Sequence, residues 1–120
     1  MSEAIMGNLL DLIQLTKLWF EDVGLTEKGT PEVQAEKGIE EAIEYLVEIK
    51  VGERLKEHGI STREQQINEL GDKFVTLIGD SLINDIPLEE ALYFAYQKIH
   101  ERKGKGKIIN NSFVKESDLK

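Results

Sequence analysis

The chain has no cysteine. That excludes disulfides, zinc–thiolate centres and cysteine nucleophiles, and it makes a reducing cytoplasm the natural expectation. Proline occurs only twice, at Pro31 and Pro87, so long helices meet few internal breaks. No apolar run approaches the roughly 20 residues of a membrane span, so no membrane partner is expected. The opening stretch MSEAIMGNLLDLI is acidic and periodic rather than basic then apolar, and does not read as a signal peptide. Repeats, low-complexity blocks and alternating strand patterns of useful length are also missing.

What remains is one domain's worth of chain. Its 120 residues suffice for a real core, and its net charge of -8 argues against a nucleic-acid partner. The charge is uneven. Residues 101–120 hold six Lys/Arg against three acids, a balance of +3, so residues 1–100 carry -11. An acidic body with a basic end can clamp a metal and an anion together.

Helical periodicity accounts for most of the rest. Ile5, Leu9, Leu12, Ile13, Leu15, Leu18 and Trp19 predict a first helix from Ser2 to about Phe20. The stretch DVGLTEKGT reads as a loop. Thr30 before Pro31 fits an N-cap with proline in the first turn, and a second helix should run to about His58, with Gly59 at the position that ends it. Its apolar stripe, Ile39, Ala42, Ile43, Leu46 and Ile49, is the expected core face. Ser61 with Glu64 predicts a capping box opening a third helix, which ends near Ile83 and has Ile67, Leu70, Phe74, Leu77 and Ile78 on one side. NDIP breaks the chain, and a fourth helix runs from Pro87 to about Arg102. The KGKGK stretch reads as a basic hinge. The last segment, IINNSFVKESDLK, has a little strand or extended character. The expected fold is all-α, a four-helix bundle in which residues 1–104 form the domain and residues 105–120 a hinge and tail that pack on it or on a partner subunit.

The carboxylates are the chemical feature. EEAIEYLVE places four in nine residues, and ELGD adds Glu69 and Asp72. At about 100° per residue, with Ile39 at zero, Glu44, Glu48 and Glu41 fall near 140°, 180° and 200°, opposite the apolar centre. Lys37 and Gln34 extend the stripe. Tyr45, Val47, Val51 and Leu55 flank it, so the second helix is apolar on more than one side, which suggests a homo-oligomer, dimer or tetramer. Two same-face carboxylate pairs on neighbouring helices make a hard, oxygen-rich site suited to Mg²⁺ or Mn²⁺. A di-iron bundle would want Glu three residues before His, and neither His58 nor His100 has it.

At these residues the chain resembles the MazG-like all-α nucleoside triphosphate pyrophosphohydrolases, in particular their small phage-type members. QAEKGIEEAIE (Gln34–Glu44) followed by ELGD (Glu69–Asp72) is similar to that family's Glu-x-x-Glu and Glu-x-x-Asp helices, here with 24 residues between Glu44 and Glu69 (69 - 44 - 1). Lys98 and Arg102 are similar to its Lys-x-x-x-Arg helix end. The stretch Trp19–Gly24 and the tail FVKESDL resemble it too, so the likeness spans about residues 15–119. Gly71, and Ala42–Ile43, depart from the pattern without removing a ligand.

The resemblance implies hydrolysis of a nucleoside triphosphate between its α and β phosphates, giving a monophosphate and pyrophosphate. It assigns Mg²⁺ to Glu41, Glu44, Glu69 and Asp72. Glu40 and Glu41 would be catalytic, with Glu40 orienting a ligand or accepting the water's proton. Lys98 and Arg102, helped by Lys37 or Lys103, would hold phosphate, and Trp19 would stack on the base. The rival expectation is a non-catalytic acidic helical interaction module that dimerises through its second helix.

Overall fold

The computed structural model describes residues 7–102 and 104–118; Ser2, Ile5 and Lys103, which figure in the expectations above, lie outside them. Among the described residues five α-helices and one β-hairpin follow in chain order: α1 (Leu9–Asp22), α2 (Leu25–Lys28), α3 (Pro31–Lys56), α4 (Arg63–Ile83), α5 (Leu88–Glu101), β1 (Gly106–Ile109) and β2 (Ser112–Lys115), then a 3₁₀ turn at Glu116–Asp118. The chain divides into two compact units at Ile86/Pro87. The expected boundary after residue 104 falls inside the second. Among the described residues no helix is long and apolar enough to cross a membrane.

Local chemistry explains the helix ends. The Asn8 side chain accepts the Asp11 N–H at 2.8 Å and caps α1. Thr30 does the same for α3, accepting from the Val33 N–H at 3.2 Å, with Pro31 in the first turn. The end of α3 follows the Schellman pattern. Gly59 has φ +75°, its N–H donates to the Lys56 carbonyl, and the Ile60 N–H reaches back to the Leu55 carbonyl at 2.9 Å. The end of α4 repeats it with Asp85 (φ 53°) in the glycine position and the Ile86 N–H on the Ser81 carbonyl.

The start of α4 differs from expectation. Ser61 Oγ accepts from the Arg63 N–H at 3.3 Å, two residues on, and no capping box closes through Glu64. Thr62 occupies the N-cap but turns its hydroxyl inward, where Gln66 Nε2 donates to it at 3.1 Å. Packing against α3 claims the group that would otherwise cap.

In the first unit α3 and α4 form the main helix pair, with α1 and α2 against α4. Phe20 of α1 lies over Gly79 of α4, and Phe20 and Ile78 are the buried apolar residues. The expected core stripe of α3 is mostly exposed, with Ile49 alone of it half-buried. Ile39 is 61% exposed, Ile43 57% and Leu46 53%. On α4, Ile67, Leu70, Phe74 and Leu77 are exposed as well, and of the side named for that helix only Ile78 is buried.

The second unit holds α5 and a two-stranded antiparallel sheet. Ile108 pairs with Phe113, and Ile109 with Ser112. Asn110 and Asn111, with φ of 51° and 67°, make the two-residue turn, which is the type I′ requirement for a tight hairpin. The tail expected to have only a little extended character is therefore a hairpin, and the fold is mostly helical rather than purely so.

Candidate metal centre

The α3–α4 seam is polar. With Ile39 again at zero, the α3 residues buried against α4, namely Gln34, Glu41 and Gly52, cluster at about 200–220°. The carboxylate stripe thus borders the helix contact. Gln34 is 8% exposed and its Nε2 donates to the Thr76 carbonyl at 3.2 Å. Glycine makes the close approach possible. A Cβ on Gly52 would meet Gln66 Nε2 and lie 2.6 Å from Thr62 Oγ1, and one on Gly79 would meet Gln34 Nε2. Gly71 has no such role, since a Cβ there would touch nothing within 4 Å.

Glu41, Glu69 and Asp72 each offer a carboxylate oxygen within 4.8 Å of the others. Two like charges at that separation repel by about 3.5 kcal/mol at an effective dielectric near 20. Glu41 is buried (8% exposed), and Glu69 is half-buried. Lys37 Nζ reaches one oxygen of Glu41 at 3.5 Å and donates to Glu40 Oε2 at 3.4 Å. Those two acids, Glu40 first, hold the Lys37 ammonium above its ordinary range. The other Glu41 oxygen, Oε2, and Glu69 Oε2 are buried and have no hydrogen-bond partner among the described residues. A buried acceptor without a donor costs about 1–3 kcal/mol, and more when charged.

Glu44 stands beside this cluster at the surface. Its carboxyl is pushed above the ordinary 4.5, first by neighbouring Glu41, then by desolvation and by Glu69. All four acids named as ligands are therefore in one electrostatic group, though only three converge within ligand distance. Such a set of hard oxygens can hold a divalent cation, which would satisfy the two orphaned oxygens and cancel the repulsion.

Glu40 is exposed and paired with Lys37. Trp19 is 55% exposed on α1, tilted against Phe20 with ring centroids 4.9 Å apart, so it does not close a core. Lys98 and Arg102 belong to the second unit. Lys98 is exposed in the last turn of α5, and Arg102 ends that helix beside a pocket lined by Tyr96, Ile99, His100 and Phe113.

Sequence reasoning missed Asp80, whose Oδ1 is buried without a partner and whose carboxyl is raised by burial. The available signal was positional, since Asp80 lies eleven residues (80 - 69) after Glu69 and so three helical turns along the same face. Compared with known proteins, the chain matches no family model, no curated protein and no solved structure.

Proposed function

We propose that the protein is a Mg²⁺-dependent nucleoside triphosphate pyrophosphohydrolase that releases pyrophosphate and leaves a nucleoside monophosphate. The observation that carries the reading is the pair of buried, unpartnered oxygens, Glu41 Oε2 and Glu69 Oε2, in a cluster with Asp72 and Glu44. A buried carboxylate oxygen with no donor is costly, and a divalent ion would satisfy it. Glu41, Glu44, Glu69 and Asp72 would hold Mg²⁺, with Mn²⁺ as a substitute. Bound there, the ion supplies neutralisation of phosphate charge and acidification of a water.

The chain's own groups do the remainder. Lys37 orients Glu41 through one oxygen and leaves the other for the metal. Glu40, exposed and one residue from a ligand, would orient a neighbouring ligand or accept the water's proton. The assignments of Lys98 and Arg102 to phosphate and of Trp19 to the base rest on the sequence resemblance alone.

A second reading, a non-catalytic helical interaction module, is favoured by the exposed apolar face of α3. One assay separates the two. Pyrophosphate release is measured over a panel of NTPs and dNTPs, with and without Mg²⁺. Mg²⁺-dependent turnover of at least one nucleotide, lost in Glu44→Gln with helix content intact, supports the enzyme. Absence of turnover on the whole panel supports the module.

A further inference from the structure

One turn along the α3–α4 seam from the carboxylate cluster lies a second group of acceptors. Gly38 of α3 stands opposite Thr76 and Asp80 of α4. A Cβ on Gly38 would lie 3.5 Å from Thr76 Oγ1 and 4.0 Å from Asp80 Oδ2. Gly38 precedes Glu41 by three residues (41 - 38), and Thr76 follows Asp72 by four (76 - 72). At 1.5 Å per residue the two groups are about 4.5–6 Å apart along the helix axes.

The side chains facing Gly38 have no donor to spare. Thr76 is buried, and its hydroxyl donates to the Lys73 carbonyl at 2.6 Å, which leaves its oxygen as an acceptor. Asp80 Oδ1 is buried without a partner, and among the described residues no basic side chain pairs with this carboxylate. Gln34 Nε2 donates to the Thr76 carbonyl instead. Packing does not demand the glycine. Both distances from its Cβ position are ordinary van der Waals separations, whereas at Gly52 and Gly79 a Cβ would collide. Glycine inside a helix is less stable than alanine, so a methyl here would be tolerated and even favoured. Its absence keeps a gap of methyl or hydroxyl size beside two acceptors. Gly38 and Asp80 are each half-buried, so the gap borders solvent. Buried acceptors call for donors.

We propose, resting on the nucleotide reading above, that this gap receives the hydroxyl edge of the nucleotide's sugar, a sugar O–H donating to Asp80 with Thr76 Oγ1 beside it. The scale fits. In a nucleotide whose α-phosphate meets the metal the sugar comes next, one turn away, and the base lies farther out. The chemistry fits as well. A hydroxyl fills the space of the missing methyl and supplies the donor that Asp80 lacks, in a bond strengthened by the carboxylate's charge. A site built around such a bond rejects the analogue without the hydroxyl, because its acceptors are then left unpaired.

The test is equilibrium dialysis of the full chain in Mn²⁺ with AMP and UMP, and with the 2′-deoxy and 3′-deoxy analogues of each. In wild type at least one deoxy analogue of each base should bind about tenfold or more weakly than its parent, the scale of one hydrogen bond to a charged group. Asp80→Asn, which removes the charge, and Gly38→Ala, which fills the gap, should each bring that ratio toward one. Circular dichroism should show both variants folded, and Gly38→Ala should melt no lower than wild type. Equal binding of parents and deoxy analogues in wild type overturns the assignment. So does a ratio that survives both variants, or no binding of either parent. Titration of the metal-free wild type with Mn²⁺ is read separately, so failure of the metal reading and failure of the sugar site remain distinct.

Discussion

Helix α3 carries two faces that ordinary globular packing would exchange. Toward α4 it sets Gln34, Glu41 and Gly52, buried and mostly polar. Away from α4 it sets Ile39, Ile43 and Leu46, each more than half exposed. A polar seam in contact with a neighbour and an apolar face in water are both costly. On the proposed reading a cation relieves the first.

The largest effect should come from the seam. Glu41→Gln removes one proposed ligand with an orphaned oxygen while keeping its shape, and Mg²⁺-dependent pyrophosphate release should fall by about 10²-fold or more, the scale seen when one transition-state contact is lost. Circular dichroism should show unchanged helix content. Retained turnover would put the chemistry elsewhere.

Lys98→Ala should lower kcat/KM by a similar factor for every accepted nucleotide, about 10²-fold if one oriented charge contact is lost. Trp19→Ala should instead reorder the bases. A kcat/KM table for both variants decides, and the assignments fail if Lys98→Ala reorders substrates while sparing the best one.

Glycines sharpen the contrast at smaller scale. Gly52→Ala forces a methyl against Thr62 and Gln66 in the seam, and should destabilise by about 1–3 kcal/mol despite alanine's better helix propensity. Gly71→Ala meets nothing and should stabilise by about 0.5–1 kcal/mol. Denaturant unfolding of both gives the signs, and equal signs would mean that the seam is not closely packed.

These glycines also show where the sequence stopped being legible. Helix limits could be read because they depend on local chemistry: Thr30–Pro31 opens α3 and Gly59 closes it. The acids could be read because their spacing places them on one face. Which face of α3 lies inside could not, since an apolar stripe normally marks the core, and only the pairing of Gly52 with Thr62 and of Gln34 with Thr76 shows otherwise. The capping box failed because Thr62 turned inward. The hairpin escaped because strands of four residues are too short for alternation to register, although Asn110–Asn111 carried its turn signal.

The smallest effect is in pH. Glu44 has its carboxyl raised above 4.5 in the folded state, so the fold binds that proton more tightly than the unfolded chain does. The resulting stability is fully present below about pH 4.5 and is lost as pH rises through the raised value. In metal-free protein, wild type should therefore gain stability relative to Glu44→Gln as pH falls from neutrality toward 4.5. Saturating Mg²⁺ should abolish that difference at neutral pH. Thermal melts of both proteins across the range would show it, and parallel curves without metal would remove Glu44 from the cluster.

The central claim is that the polar seam is built for a cation, and calorimetric titration of the metal-free protein with Mn²⁺ and Mg²⁺ tests it most directly. Saturable binding is expected, weakened at least tenfold, about 1.4 kcal/mol, by Glu41→Gln and unchanged in Lys98→Ala. Binding absent from wild type, or undiminished in Glu41→Gln, would contradict it.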